Sequence, residues 1–190
     1  MKILIVVASA SGRTRRMADA EAEGAGEVGA EAAIRSPEQV LDSDLIEADA
    51  VILGSGVHMG GMESSMSAFF ERTAKLWLRG SLVGKLGAAF ASAGEGERGG
   101  AELTLISLLA NLAEHGMLIV PMPNRLAGFR QAGSHWGPMV RTTPPPGTRE
   151  GPGPTEADLE AARSHGRFVA ECTRRWLAGA GGDVNASGGA

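Results

Sequence analysis

Lys2-Ile3-Leu4-Ile5-Val6-Val7 runs through Ala8 straight into Ser9-Ala10-Ser11-Gly12-Arg13-Thr14, and a segment with helical spacing follows over about 13 to 27. The apolar run shows no alternation, so both of its faces must be covered. Strands covered on both faces belong to parallel sheets with helical crossovers. Three further runs share this character: Ala50-Val51-Ile52-Leu53, Leu86-Gly87-Ala88-Ala89-Phe90-Ala91 and Met117-Leu118-Ile119-Val120, with Glu31-Ala32-Ala33-Ile34 as a weaker fifth. Helical spacing recurs over about 62 to 77, 100 to 115 and 156 to 178. At the start of the last, Thr155 with Asp158 three residues on resembles a capping box that uses Asp in place of Glu. Strand and helix in alternation predict an α/β fold: a doubly wound, five-stranded parallel sheet of order 2-1-3-4-5, in one domain over residues 1–178.

Two stretches interrupt the pattern. Residues 123–153 are rich in Pro, Gly and Arg, contain Pro144-Pro145-Pro146, and are expected as a long functional or interface loop. Residues 179–190, rich in Gly, Ala, Ser and Asn, are expected as a disordered tail. A chain of 190 residues buries a core without covalent staples, and its single cysteine, Cys172, permits no internal disulfide, which fits a cytoplasmic setting. Its 18 Lys and Arg against 22 Asp and Glu leave a net charge of −4 with no basic run, so nucleic acid is not an expected partner. Met1 to Ala8 is too short for a signal sequence or a membrane span. No metal site is expected. The 28 glycines, with no Tyr and few other aromatics, favour prominent loops and close backbone approaches.

The segment from Ser9 to Thr14 reads as a phosphate cradle. Hydroxyls stand at alternate positions, Gly12 lets the backbone approach a ligand, and the free amides of a helix start carry about half a positive charge. Arg13 adds a full one. An ordinary strand-to-helix turn, with Ser and Thr merely capping the helix, explains the same residues. Other phosphate-like motifs fail on context. Gly24-Ala25-Gly26-Glu27-Val28-Gly29 has dinucleotide-fingerprint spacing but follows a helical segment, so it reads as a helix end and turn. Gly80-Ser81-Leu82-Val83-Gly84-Lys85 precedes a strand and reads as a connection, and Asn185-Ala186-Ser187 is set aside as a glycosylation acceptor. Two more Gly-rich loops follow predicted strands: Gly54 to Met62, and Ser92 to Gly100. Three such loops at the carboxyl edge of one parallel sheet point to a planar, phosphate-bearing ligand.

On these residues the chain resembles the flavodoxin-like flavoproteins and, within them, the WrbA-type NAD(P)H:quinone oxidoreductases, from Lys2 to about Gly179. Ser9, Ser11, Gly12 and Thr14 match the pattern Ser/Thr-x-Ser/Thr-Gly-x-Ser/Thr in full. Gly54 through Trp77, Gly84-Lys85-Leu86, Ser92 to Gly100, Glu114 to Pro121 and the insertion with Gly137 are placed as in the WrbA type. Ser11 stands where that type has Tyr, His58 where it has Arg, and Met59 where it has Phe. The resemblance implies FMN as cofactor, its phosphate held by Ser9, Ser11, Gly12, Arg13 and Thr14. Its ring would be bordered by Val57, His58 and Met59 on one side and by Ser92, Gly94, Glu95 and Gly96 on the other. His115 would complete the pocket and Trp77 would contact substrate. Both lie at the ends of crossover helices, so their own sheet carries them away from the phosphate loop and a neighbouring subunit would have to deliver them. A packing Trp and a satisfied helix-end His are the alternatives. Cys172 and the remaining Met residues, including Met62 and Met66, read as core.

The implied activity is a two-electron, ping-pong hydride transfer from NADH or NADPH to a quinone, with the chemistry at flavin N5 and no catalytic side chain named. A homo-oligomer, dimer or tetramer, is implied as well. The alternative is a flavodoxin-type electron carrier that binds redox partner proteins, against which stand the modest charge and the lack of Tyr or Trp in the three loops.

Overall fold

The computed structural model describes residues 1–94, 99–143 and 153–179. The chain begins with strand β1 (Lys2–Ala8), helix α1 (Arg13–Gly26), strand β2 (Glu31–Arg35), a 3₁₀ turn (Pro37–Gln39) and helix α2 (Asp42–Glu47). Strand β3 (Ala50–His58) makes a tight hairpin with β4 (Gly61–Met62) and leads into helix α3 (Ser64–Leu78). Strand β5 (Leu86–Ala93) and helix α4 (Ala101–Glu114) follow, then strand β6 (Leu118–Ile119), helix α5 (Phe129–Ala132), strand β7 (Met139–Arg141) and helix α6 (Glu156–Gly179).

The central order is β2-β1-β3-β5-β6, with all neighbours on that path parallel, which is the expected 2-1-3-4-5 order by position. Seven strands form the sheet where the sequence predicts five. One addition is β4, whose antiparallel pairing carries β3 out to His58, beyond the expected end at Leu53. The other is β7, inside the segment expected as a loop. It continues the edge position that β6 begins: Leu118 and Ile119 pair with Leu86 and Gly87, while Met139 to Arg141 pair with Ala91 to Ala93. Residues 144–152 of that expected loop and 180–190 of the expected tail lie outside the described residues, and Gly179, expected to begin the tail, ends α6 instead.

Alternate residues of β1 explain why its run is continuously apolar. Ile3, Ile5 and Val7 join the core formed with Met17 of α1 and Val169 of α6. Leu4, Val6 and Ala8 join the opposite core, with Met66 of α3 and Leu105 and Leu108 of α4. Each such side chain contributes roughly 1.5–3 kcal/mol through burial. The box at the start of α6 closes as expected: Thr155 N–H donates to Asp158 Oδ2 at 2.8 Å and Asp158 N–H to Thr155 Oγ1 at 3.3 Å.

Helices α1 and α6 cross closely. A Cβ on Gly24 would collide with the Arg163 carbonyl and one on Gly166 with the Glu21 carbonyl, so the helices touch backbone to backbone. At this crossing Glu21 Oε1 and His165 Nδ1 are 2.8 Å apart with both side chains fully buried. Burial outweighs the attraction of His165 and raises the Glu21 carboxyl above its ordinary value. Glu21 Oε2 and His165 Nε2 are buried with no hydrogen-bond partner among the described residues.

Candidate functional site

The first loop folds as a helix N-terminus left open. Gly12 is the N-cap of α1 in the left-handed conformation, φ 78°, and has no side chain with which to cap the first amides. The Ser9 hydroxyl, three residues before the N-cap, accepts from Arg15 N–H, the third amide of the helix, at 3.1 Å. The first amides of α1 have no acceptor within the helix. A Cβ on Gly12 would meet nothing within 4 Å, so the loop turns its bare backbone toward open space. A cleft of about 370 Å³ adjoins it, bordered by Ser9, Ala10, Gly12, Arg15, Ser36 and Glu63.

The three loops are tied to one another by buried polar groups. Thr14 Oγ1 and Ser92 Oγ lie 2.8 Å apart, joining the first loop to the end of β5. Ser55 accepts from Glu63 N–H at 2.9 Å and donates to the Gly56 carbonyl, fixing the β3–β4 hairpin against the start of α3. Glu63 Oε1 in turn accepts from Ala10 N–H at 3.3 Å, joining the second loop to the first. Val57 packs against Gly100, the N-cap of α4, where a Cβ would lie 2.8 Å from Val57 Cγ1.

Met59 carries a positive φ of 49°, and its side chain is fully exposed. An apolar side chain held out to solvent on a strained backbone suits a ligand-facing position. His58, exposed beside it, has Nε2 3.6 Å from Glu63 Oε1.

Ser9, Ser11, Gly12, Arg13, Thr14, Val57, His58, Met59, Ser92 and Gly94 therefore gather on the three loops at the carboxyl edge of the sheet. Glu95 and Gly96 lie outside the described residues. Trp77 and His115 sit at the opposite edge, at the ends of α3 and α4. His115 Nε2 is 3.0 Å from Thr73 Oγ1, whose proton goes to the Phe70 carbonyl, so Nε2 donates and Nδ1 is left buried without a partner among the described residues. Burial lowers the His115 pKa and favours the neutral ring. The satisfied helix-end His that the sequence allows as an alternative is thus met at Nε2 alone.

Glu63 is the residue that sequence reasoning passes over. An acidic residue directly after a Gly-rich loop and at a helix start was the available signal, yet it reads equally as a dipole-favoured N-terminal acid. Among the described residues no cluster of His, Cys, Asp and Glu can hold a metal ion, and no helix is long and apolar enough to cross a membrane.

A family model for NADPH-dependent FMN reductase matches residues 35–130. The chain is 39% identical to an NAD(P)H dehydrogenase (quinone) of Methylocella silvestris, covering 90% of this chain and 96% of that one. It is 37% identical to a protein of the same name from Geotalea daltonii, over 90% and 95% of the two chains. Among solved structures it is similar to the flavodoxin, WrbA-like protein from Agrobacterium tumefaciens, with TM-score 0.70 and 25% identity over 92% of this chain and 98% of that one. A flavodoxin from the domain Archaea shares the fold, with TM-score 0.65 and 24% identity over 92% and 99%.

Proposed function

The chain belongs to the NADPH-dependent FMN reductase family, alongside relatives named NAD(P)H dehydrogenase (quinone), and on that premise we propose that it oxidises NADH or NADPH and reduces a quinone through bound FMN. The observation that carries the cofactor assignment is the glycine N-cap of α1, with Gly12 turned to open space beside the cleft and no side chain of its own over the first amides. Ser9, Ser11, Gly12, Arg13 and Thr14 would hold the phosphate: helix amides and hydroxyls as donors, Arg13 as counter-charge. Val57, His58 and Met59 on one side and Ser92, Gly94, Glu95 and Gly96 on the other would border the ring. The cradle serves one terminal phosphate, which favours FMN over FAD.

When bound, the flavin supplies a carrier that takes a hydride equivalent from the nicotinamide and passes it to the quinone. The chain's own part is to anchor the phosphate, keep the ring between the β3 and β5 loops, and leave one face open so that donor and acceptor alternate in a ping-pong cycle. The net change is NAD(P)H, a proton and quinone giving NAD(P)⁺ and hydroquinone. No titrating side chain is required at the reacting atoms.

Trp77 and His115 join a site only if a second subunit brings them. The far edge that holds Trp77 also exposes Leu78, Val83, Leu118 and Ile119, which supports self-association there into a dimer or tetramer. The single half-buried Cys172 suits the reducing cytoplasm. Steady-state oxidation of NADH and NADPH with benzoquinone, alongside identification of the flavin released by heat, tests the reading. Turnover with FMN recovered supports it. Recovery of FAD, or bound FMN without nicotinamide oxidation, would instead favour another cofactor or a flavodoxin-type electron carrier serving protein partners.

A further inference from the structure

Glu63 places a carboxylate inside a cradle built for an anion. Only 8% of the residue is exposed, and it borders the cleft beside the first loop. Its Oε1 holds the Ala10 amide at 3.3 Å and lies 3.6 Å from His58 Nε2. Gly56 makes this fit possible, since a Cβ there would come within 2.7 Å of Oε1 and 3.4 Å of Thr14 Oγ1. Glu63 is also the N-cap residue of α3, and its carboxylate reaches away from that helix, making no cap bond there, to the loop that starts α1. The amides that favour a phosphate favour this carboxylate for the same reason.

We infer that Glu63 is a built-in competitor of the FMN phosphate: the carboxylate holds the Ala10 amide until the phosphate arrives, and then turns to His58. The inference rests on the FMN reading of the cradle. A carboxylate and a phosphate dianion in one partly desolvated cleft repel, so keeping both weakens FMN binding relative to a neutral residue at position 63. Riboflavin has the same ring and no phosphate, and is not subject to this repulsion. Glu63 thereby sets how strongly the protein distinguishes phosphorylated from unphosphorylated flavin, and His58 limits the penalty by receiving the displaced carboxylate.

The test is titration of FMN and of riboflavin, followed by flavin fluorescence, with the unloaded protein and its Glu63→Gln, Glu63→Ser and His58→Gln variants. Folding of each is checked by circular dichroism. Glu63→Gln and Glu63→Ser should tighten FMN at least tenfold while riboflavin stays within about twofold of the parent. His58→Gln should weaken FMN more in the parent than in the Glu63→Gln background, a coupling that a double-mutant cycle measures directly. FMN affinity that is unchanged or weaker in both Glu63 variants overturns the inference and leaves the cradle reading standing. Parallel tightening of FMN and riboflavin overturns it equally. If neither the parent nor any folded variant binds FMN, the cradle reading falls and the inference with it.

Discussion

Gly12 and Gly29 offer a controlled comparison within one chain. Both adopt left-handed backbone, φ 78° and 82°, and a Cβ on either would meet nothing within 4 Å. Replacing either by Ala therefore adds no clash, only the conformational cost of an L side chain in that region, about 1–2 kcal/mol. For a protein of this size each kcal/mol lowers the melting temperature by roughly 2–4 °C, so the two unliganded variants should melt within a few degrees of each other and modestly below the parent. Their ligand behaviour should differ sharply. Gly12 caps α1 at the open end of the cradle, whereas Gly29 lies in the turn between α1 and β2. A methyl group at position 12 stands where the phosphate must approach the amides, so Gly12→Ala should lose at least tenfold in FMN affinity and Gly12→Val more, while Gly29→Ala binds as the parent does. Thermal melts and fluorescence titrations on the same preparations read both quantities. If Gly12→Ala and Gly29→Ala bind FMN equally well, the first loop is only a turn and the phosphate assignment is wrong.

Further expectations concern the pair at the helix crossing and the far edge. The raised folded pKa of Glu21 means that its contribution to stability is fully present below the unfolded carboxyl value and is lost as pH rises through the folded one. Glu21→Gln never ionises, so chemical denaturation should find it gaining on the parent as pH rises, by at most about 1.4 kcal/mol per pH unit; a pH-independent difference would refute the burial cause. Gly24→Ala should destabilise by about 1–3 kcal/mol in the same assay, because its Cβ would strike the Arg163 backbone, which can yield only if α1 and α6 separate; a neutral result would show the crossing to be loose. Charges at the exposed edge, Leu118→Glu with Ile119→Lys, should give folded monomers by light scattering that keep FMN and lose quinone turnover; a monomer with undiminished turnover would return Trp77 and His115 to purely local packing roles.

The long strands and the first loop were legible because their signals are contiguous. A run apolar on both faces has one economical explanation, and the hydroxyl and glycine pattern of Ser9 to Thr14 stands directly at its end. Strands β4 and β7 were not legible. Two residues in a Gly-rich loop and three among Pro, Gly and Arg are too short for any period to register; β4 is held by a tight hairpin with β3, and β7 by pairing with the distant β5. Glu63 was hidden for a related reason: the amide it holds belongs to Ala10, fifty-three positions away in the chain. The antiparallel course of crossover helices did place Trp77 and His115 at the far edge, because direction follows from topology and needs no side-chain detail. Which nitrogen of His115 donates depends on Thr73 and Phe70, which no local pattern connects to it.

The edge position beside β5 is filled by two separate lengths of chain, and the ladder that aligns them belongs to β5 alone. Val120 N–H bonds to the Gly87 carbonyl on one side of the gap, and Ala91 N–H bonds to the Pro138 carbonyl on the other. The excursion between them therefore need not keep register, as the residues of an unbroken strand must. It can lengthen or shorten, provided its ends still reach Ile119 and Met139. The two halves are thus free to drift independently: Leu118 and Ile119 face outward where another subunit would dock, while Thr142, just past β7, clasps the Ala93 carbonyl through both its amide and its hydroxyl, next to the loop that begins at Gly94. An exposed apolar edge and the anchor of the proposed ligand loop share one strand position without sharing one stretch of sequence, so a lineage that self-associates through the first piece can remodel that contact and leave the second undisturbed.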